Sequence, residues 1–292
     1  MIISRIIGGL GNQMFQYAAG RSLSLELSQQ LRLDISGFRD YSLHQGFELE
    51  RVFNCKVEVA TEAETQNILG WRGVFGIKRI LSRPSMAPIR HNGFVVEPHF
   101  QYWAGLTKVP IDSYLVGYWQ SEKYFHKHLE AIRSDFIFKT SLTTKNLELS
   151  KKMAKVNAVS LHIRRGDYIR NRKTNATHGA CDLDYFDAAI GYMSSRVEDP
   201  FFFIFSDDIE WARGNLKLDF PCHYVDINCG IESYNDMHLM SLCQHNIIAN
   251  SSFSWWGAWL NFRTDKIVIA PQNWFRNNIK TQDLIPSNWV KV

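Results

Sequence analysis

The chain has few cysteines and no long hydrophobic run, and both absences narrow its class. Its five cysteines are an odd number without a Cys-x-x-Cys pair, so neither a disulfide framework nor a thiolate zinc site is indicated. A reducing compartment is therefore expected. The longest apolar runs, such as residues 201–205, fall far short of the roughly 20 residues that a membrane span needs. Residues 1–10 show no signal-peptide cleavage pattern.

The net charge is also small. Subtracting 29 acidic from 33 basic side chains leaves +4, which is too little for a surface that coats nucleic acid but is compatible with a small anionic ligand. With 45% hydrophobic and 13% aromatic residues, the composition excludes a disordered, collagen-like or repeat-array protein. A length of 292 residues is long for one core and suits two domains.

The amino-terminal segment predicts a strand, a helix and a second strand. Residues 2–7 are rich in isoleucine, and the glycines of residues 8–12 end this run. Residues 14–27 are compatible with a helix, and residues 31–34 with the next strand. This is the pattern of a β-α-β unit.

A polar stretch at residues 139–155 predicts a domain boundary near 150, which gives an amino-terminal domain of residues 1–150 and a carboxyl-terminal domain of residues 151–292. In the second domain, apolar segments alternate with helical ones, which indicates a mostly parallel sheet. The predicted strands lie near residues 159–163, 201–205, 247–249 and 267–269. Ligands of such sheets bind beyond the carboxyl ends of the strands.

Arg164 and Arg165 follow the first of these strands. Two guanidinium groups at a strand end can clamp a phosphate, because each offers a planar fork of donors that stays charged. The alternative is a surface pair of arginines in salt bridges with Asp167.

Ser206, Asp207 and Asp208 follow the next strand. The carboxylates of Asp207 and Asp208 could accept hydrogen bonds from a ribose or a guanine edge. Alternatively, one of them caps the helix that begins near Ile209. A metal site is disfavoured, because the two acids are adjacent and the arginines already supply positive charge.

A third polar loop precedes the tryptophan-rich segment at residues 255–259. The start of a helix offers free backbone N–H groups and a favourable dipole for an anion. The loop consists of Ser251, Ser252, Phe253 and Ser254. Its serines could instead only cap the helix, and the tryptophans are expected to pack in the core.

The glycine loop at residues 8–12 resembles part of a dinucleotide-binding fingerprint, with Asp34 at a suitable distance for a ribose hydroxyl. It departs from that fingerprint because Met14 stands where the third glycine would be. A nicotinamide-dependent oxidoreductase therefore remains an alternative. We favour a tight turn that brings backbone close to a ligand, with a purely structural turn as the other possibility.

Four segments together resemble one known family. Residues 162–168 (HIRRGDY) are similar to the His-x-Arg-Arg-Gly-Asp motif of α-1,2- and related fucosyltransferases. Residues 8–18, residues 205–208 with Trp211, and residues 250–260 resemble segments of bacterial family 11 glycosyltransferases, in the same order. Residues 40–110 match no segment of the family, and we expect them to shape the acceptor site.

The resemblance implies an α/β protein of the GT-B type, with two Rossmann-like domains facing across a cleft. It implies that the carboxyl-terminal domain binds the donor GDP-β-L-fucose, while Gly11 and Asn12 contribute from the acceptor-side domain, where Asn12 faces the sugar. The residues it assigns to the donor in the carboxyl-terminal domain are His162, Arg164, Arg165, Ser206, Asp207, Asp208, Ser251, Ser252, Phe253 and Ser254.

The activity implied is inverting transfer of L-fucose to the 2-hydroxyl of a galactose that ends an oligosaccharide, without a metal or another cofactor. Arg164, Asp167 and Asn12 are the candidate catalytic residues. Asp167 would take the proton of the acceptor hydroxyl or would orient an arginine. The expected setting is bacterial O-antigen or capsule biosynthesis in the cytoplasm, with peripheral attachment to the inner membrane as an alternative.

Two other classes remain open beside fucosyl transfer with another linkage. A nicotinamide-dependent nucleotide-sugar oxidoreductase would use the glycine loop. A carbohydrate-binding module would explain the aromatic residues but would not need the arginine pair. Neither a nucleic-acid partner nor a membrane span is expected.

Overall fold

The computed structural model describes residues 1–39, 44–166, 172–177, 179–277 and 279–292. Contacts between residues divide the chain into two units. The first consists of Met1–Lys139 and Gln282–Leu284, and the second of Thr140–Thr281 and Ile285–Val292.

The division falls earlier than the predicted boundary near 150. The polar stretch that suggested this boundary contains a helix, Thr144–Met153, in which Leu149 and Met153 are buried while Leu147 is exposed. Leu149 and Met153 pack with Ala158 and Phe203 in the core of the second unit. The helix therefore belongs to that unit, although the polar residues on its solvent-facing side are typical of a linker.

The first unit is built on a parallel sheet that includes the predicted β-α-β unit. Its strands are β1 (Ile2–Arg5), β2 (Leu31–Asp34), β3 (Phe94–Val96) and β4 (Ser113–Val116), in the order β2-β1-β4-β3. β1 pairs with β2 on one side and with β4 on the other.

Five α-helices accompany this sheet in the described part of the first unit. They are α1 (Leu10–Glu26), α2 (Leu49–Val52), α3 (Glu62–Leu69), α4 (Phe75–Leu81) and α5 (Leu129–Asp135). The sequence between residues 40 and 110, which showed no clear periodicity, supplies three of them as well as β3. α3 begins with a capping box in which Thr61 and Glu64 bond each other's backbone amides, and this box stabilises the helix start.

The second unit contains a six-stranded sheet, which is also parallel. Its strands lie in the order β10-β9-β8-β5-β6-β7. They are β5 (Asn157–Ile163), β6 (Pro200–Ser206), β7 (Cys222–Val225), β8 (His245–Ile247), β9 (Val268–Ala270) and β10 (Val290–Lys291). The four predicted strands are present, and β8 begins two residues before its predicted start at Ile247.

Helices cover both faces of this sheet. In the described residues they are α6 (Thr144–Met153), α7 (Arg172–Thr177), α8 (Leu183–Ser194), α9 (Ile209–Asn215), α10 (Tyr234–Leu242) and α11 (Ser252–Leu260). On one face Phe202 and Ile204 pack with α8, and on the other Phe203 and Phe205 pack with α10. β6 is therefore apolar on both sides, as its run of phenylalanines predicts.

None of the helices in the described ranges combines the length and the hydropathy of a membrane span.

A buried ion pair joins α4 to the end of β2. The ammonium of Lys78 lies 2.5 Å from Oδ2 of Asp34, and both side chains are less than one tenth exposed. The Tyr114 hydroxyl donates to the same oxygen, and the Ser36 amide donates to Oδ1. Burial raises the pKa of Asp34, but Lys78 and the other donors outweigh it and lower the pKa to about 2. With both oxygens engaged, Asp34 is not presented to a ribose hydroxyl, which weighs against the dinucleotide interpretation.

We expect Lys78→Met to lower the free energy of unfolding by about 3 kcal/mol at neutral pH, because it leaves a buried carboxylate without its cation. The deficit should shrink as the pH falls from 3.8 toward 2, where Asp34 of the parent protein becomes protonated and the pair is lost anyway. Urea unfolding monitored by circular dichroism measures both.

Lys56→Met is the matched control, because the Lys56 side chain is 83% exposed in its ion pair with Glu58. Its effect should stay within about 0.5 kcal/mol. Equal effects of the two substitutions would show that the buried pair contributes no more to the free energy of unfolding than an exposed pair does.

Candidate active site

Three polar loops meet at one edge of the second sheet. β5 lies between β8 and β6, and the three strands are parallel, so the residues that follow them emerge at the same edge. From β5 the chain adds β6 and β7 on one side and then crosses over to add β8 on the other. Ligands of open parallel sheets bind at such a reversal of strand order. The structure thus brings residues 164–166, 206–208 and 250–254 together.

The carboxylate of Asp207 holds the arginine loop. Its Oδ1 accepts a hydrogen bond from the Arg165 amide at 2.8 Å, and its Oδ2 accepts one from the Gly166 amide at 3.0 Å. Nη1 of Arg164 lies 3.1 Å from the same Oδ2. A Cβ at residue 166 would come within 2.6 Å of this oxygen, so only glycine fits without a shift. Asp207 therefore positions the two arginines, and its contact with guanine or ribose remains a prediction.

The guanidinium of Arg165 stacks on an aromatic ring. Its Cζ lies 3.6 Å from the ring centre of Trp211, a contact that combines stacking with cation–π attraction. Nε of Arg165 is 3.5 Å from Asp208 Oδ2, but within the described residues this buried nitrogen has no hydrogen-bond partner. Stacking on Trp211, rather than a fork of hydrogen bonds, thus fixes the plane of this guanidinium.

Asp208 caps a helix, which is the alternative that the sequence left open for one of the two acids. Its Oδ1 accepts a hydrogen bond from the Trp211 amide at the start of α9. The hydroxyl of Ser206 accepts one from the Asp208 amide at 3.0 Å. Ser206 and Asp208 therefore shape the turn between β6 and α9 as well as bordering the arginines.

His162 lies inside this edge as an uncharged imidazole. Burial lowers its pKa far below the ordinary value; nearby Asp207 opposes this shift and Arg164 adds to it. Nδ1 is buried and has no hydrogen-bond partner in the described part of the chain. The ring centroid lies 5.9 Å from that of Phe253. The unused nitrogen of a neutral ring can donate or accept one hydrogen bond with a ligand, depending on the tautomer.

The start of α11 forms the third side of the edge. Ser251 is the N-cap, and its hydroxyl accepts a hydrogen bond from the Phe253 amide at 3.3 Å. Ser252 and Phe253 are half-buried, whereas Ser254 is 1% exposed and donates its hydroxyl to the Ser251 carbonyl. Ser254 thus belongs to the helix interior. The tryptophans at 255, 256 and 259 pack in the core, as the sequence predicts.

Two buried glutamines hold the glycine loop of the first unit. Gln16 accepts a hydrogen bond from the Ile7 amide at 2.8 Å and donates one to the Gly117 carbonyl at 3.1 Å. Gln13 donates to the Gly8 carbonyl at 2.9 Å. Their sequence positions do not reveal this role, because both side chains fall within a regular helix.

The loop itself is a tight turn that leads into α1. Gly8 has a φ of 83°, a conformation that favours glycine. Gly11 is buried in the first turn of α1, and the amide oxygen of half-buried Asn12 accepts a hydrogen bond from Gln120 Nε2 at 2.6 Å. Since Gln120 follows β4, the neighbour of β1, these side chains share the carboxyl edge of the first sheet.

Glu97 lies at the same edge and was missed from the sequence. Its two carboxylate oxygens accept hydrogen bonds from the Tyr118 amide at 2.7 Å and the Trp119 amide at 3.1 Å. Trp119 adopts a φ of 54°, and a Cβ at Gly117 would collide with Glu97. Burial raises the pKa of Glu97 to about 7, although both amides oppose this. The available signal was its place directly after an apolar strand.

A cavity of 760 Å³ opens beside Asn250 in the second unit. Its wall includes Asp182, Tyr185, Gln272 and Arg276. Asn250 anchors that wall, because its side-chain amide donates to the carbonyls of Gly179 and Trp274. None of the predicted site residues that the structure describes lines this cavity, although Asn250 belongs to the family-like segment at residues 250–260.

A family model for glycosyl transferase family 11 matches residues 99–292. The chain belongs to this family. An alpha-1,2-colitosyltransferase of Escherichia coli is 36% identical over 296 residues, which is 100% of this chain and 99% of that protein. The O-antigen biosynthesis glycosyltransferase WbnK of Escherichia coli is 36% identical over 302 residues, which covers 99% of each protein.

The fold is likewise shared with solved fucosyltransferases. The crystal structure of NodZ alpha-1,6-fucosyltransferase soaked with GDP-fucose has a TM-score of 0.53 and 15% identity, over 88% of this chain and 90% of that chain. At this identity the likeness concerns the fold alone. Together with the two parallel sheets it confirms the expected α/β class of the GT-B type.

In this family 11 glycosyltransferase, Asp167 lies outside the described residues, so its contacts with the neighbouring arginines are not part of the structure. Among the residues that are described, no group of three or more histidine, cysteine, aspartate or glutamate side chains is arranged to hold a metal ion. The charges that face each other at the edge of the second sheet are instead Arg164 with Asp207 and Arg165 with Asp208.

Proposed function

We propose that the chain transfers L-fucose from GDP-β-L-fucose to the 2-hydroxyl of a terminal galactose, with inversion at the anomeric carbon. The observation that carries this proposal is the arginine loop fixed by Asp207, which stands beside the start of α11 at the reversal of strand order. Cationic side chains and a helix N-terminus at one point favour a diphosphate. The full-length relative that forms an alpha-1,2 linkage supports the position of transfer.

The chemistry follows from where charge develops. As the bond between fucose and GDP breaks, negative charge grows on the β-phosphate, and the anomeric carbon takes on oxocarbenium character. Arg164 and the α11 start, with Ser251, Ser252 and Phe253, stabilise this charge without rearrangement. Because they supply the positive charge, transfer needs neither a metal ion nor another cofactor.

The remaining predicted residues position the donor. Neutral His162 offers its unused nitrogen to the nucleotide, and Arg165 is kept in place by Trp211. Asp207 and Asp208 border the nucleotide while they hold the loops. We assign Gly11 and Asn12 to sugar binding, and the galactose-terminated oligosaccharide to the unit that contains them.

A second donor is favoured by one specific observation. A relative that is 36% identical along the whole chain transfers colitose, which is fucose without its 3-hydroxyl group. The same diphosphate site would serve GDP-colitose, so the choice between the two sugars depends on contacts to that hydroxyl. A change of donor leaves the roles of Arg164 and α11 unaltered.

Incubation with GDP-fucose and a panel of β-galactosides should give a product in which NMR shows a correlation between fucose H-1 and galactose C-2. EDTA should leave the rate unchanged, because arginines and a helix start replace the cation. GDP-colitose and nicotinamide cofactors are the comparison reactions. Product from GDP-colitose alone, a linkage to another hydroxyl, or loss of activity with EDTA that added magnesium restores would each contradict the corresponding part of the proposal.

Arg164→Ala should reduce kcat about 100-fold or more, because a charge-assisted contact that strengthens in the transition state is lost. Arg164→Lys should restore little of it, since a point charge does not reproduce the guanidinium fork. Steady-state kinetics and GDP titration calorimetry provide the measurements. Arg196→Ala is the control, because Arg196 lies between α8 and the start of β6, before the strand rather than after it, and donates to the Tyr192 carbonyl. A rate within a few-fold of the parent for Arg164→Ala would remove Arg164 from the mechanism.

Two carboxylates are candidates to take the proton of the acceptor hydroxyl. Asp167 follows the arginine pair in the sequence, and Glu97 is fixed by two amides in the acceptor-side unit. The titratable neighbours of Glu97 are Tyr118 and Tyr124, and burial raises the pKa of both above the ordinary value. Near pH 7, neither tyrosine changes its charge together with Glu97.

Asp167→Asn and Glu97→Gln keep size and remove basicity, so the substitution at the true base should lower kcat about 100-fold or more with GDP affinity unchanged. If Glu97 is the base, kcat falls as the pH drops through about 7, and the Gln variant lacks this limb. If Asp167 only orients an arginine, Asp167→Asn weakens GDP binding as well. Normal kcat and parent profiles for both variants would leave the departing phosphate or water as proton acceptor.

Glu97→Gln has a stability readout that does not depend on catalysis. Folding raises the pKa of Glu97 from 4.5 to about 7, so the uncharged carboxyl group stabilises the folded state relative to the ionised one. The parent therefore loses this contribution as pH rises between these values, and the variant should gain thermal stability above pH 7 relative to below 4.5. Equal gain at both pH values would show that Glu97 ionises normally.

A further inference from the structure

The segment from Gly70 to Arg90 exposes several large apolar side chains close together in the sequence. Five of them are between 48% and 62% exposed: Trp71, Val74, Phe75, Ile80 and Ile89. They occupy α4 and the turns on either side of it. An exposed apolar patch of this kind on a folded unit marks a surface that another phase or molecule covers.

The charge of the same segment has one sign. From Thr65 to Val96 the sequence contains no aspartate or glutamate, but it contains Arg72, Arg79, Arg83 and Arg90 besides the paired Lys78. In the part of the chain that the structure describes, none of these four arginines forms an ion pair with a carboxylate.

Two of the arginines tie the segment together through backbone carbonyls. Nε of Arg72 donates to the Ile89 carbonyl at 3.1 Å, and Arg90 donates to the Leu81 and Arg83 carbonyls. Carbonyl partners leave the positive charge of each guanidinium uncompensated. Arg72 also lies 4.7 Å from the ring centre of Trp71, so that a cation and an amphipathic ring stand side by side.

α4 presents the two kinds of side chain on one face. Phe75, Arg79 and Ile80 are exposed, whereas Lys78 and Leu81 point inward, to Asp34 and to the core of the first unit. The inward contacts of Lys78 and Leu81 determine which side chains of the helix face outward. A helix with aromatic and aliphatic residues next to arginines on its solvent side has the composition of an interfacial membrane element.

We propose that this surface, formed by Trp71, Val74, Phe75, Ile80 and Ile89 with the four arginines, attaches the protein to an anionic phospholipid bilayer. The apolar side chains enter the boundary between headgroups and acyl chains, and the arginines pair with lipid phosphates. The attachment is peripheral. It depends on no part of the proposed transfer reaction, because it rests only on the exposed face and its charge.

Co-sedimentation of the full-length protein with vesicles tests the proposal. Vesicles of phosphatidylcholine with one third phosphatidylglycerol should bind about tenfold or more tightly than phosphatidylcholine alone, and raised salt should weaken the binding. Phe75→Ser with Ile80→Ser removes the apolar part, and Arg79→Glu with Arg83→Glu reverses two charges. Both double variants should lose most of the binding while thermal unfolding shows that they remain folded.

Phe262→Ser is the matched control, since Phe262 is 71% exposed in the second unit and should not affect binding. Binding that is absent from both vesicle types, or that is the same for the parent and both double variants, would overturn the proposal. So would a dimer in size-exclusion chromatography that the Phe75→Ser, Ile80→Ser variant abolishes, since a second copy would then be what covers this surface.

Discussion

The position of two positive charges at the candidate site depends on one carboxylate. Asp207 accepts the amides of Arg165 and Gly166 and pairs with the Arg164 guanidinium, so a single side chain fixes both the backbone and the charge of the loop. It can do so because β5 and β6 pair with Ile163 opposite Ser206, which puts the residues after both strands side by side. The absence of a side chain at Gly166 allows the close approach.

This arrangement also explains the state of His162. A buried imidazole next to the Arg164 guanidinium meets both desolvation and like charge, and the nearby Asp207 does not compensate for them. The ring is therefore neutral at the edge where Arg164 and Arg165 are each balanced by an aspartate. The dipole at the start of α11 adds to the attraction that the arginines exert on an anion at this edge.

The sequence predicted the parts of the site that local patterns determine. Apolar strands followed by polar residues located the loops at Arg164, Asp207 and Ser251, and parallel topology then placed them at one edge. It did not predict that Asp207 holds the arginine loop, that Ser254 faces inward, or that Glu97 is fixed by the amides after β4. Each of these depends on contacts between residues far apart in the chain. The division between Lys139 and Thr140 lies before the predicted boundary near 150 for the same reason, since the helix at Thr144 looks polar until its partners are known.

The first unit shows how such distant contacts organise a region without a recognisable motif. β2 and β3 are the two edge strands of its sheet, and β1 and β4 form its centre. The segment that connects β2 to β3 can therefore differ in sequence and length without changing the pairing of β1 with β4. That connection includes α4, and the buried pair of Lys78 with Asp34 ties it to the end of β2. An inward lysine with a carboxylate partner fixes the rotation of α4 more strictly than apolar packing alone, because any other rotation would move Lys78 away and leave the buried Asp34 carboxylate without its cation. The same pair therefore determines which residues of α4 face outward, namely Phe75, Arg79 and Ile80.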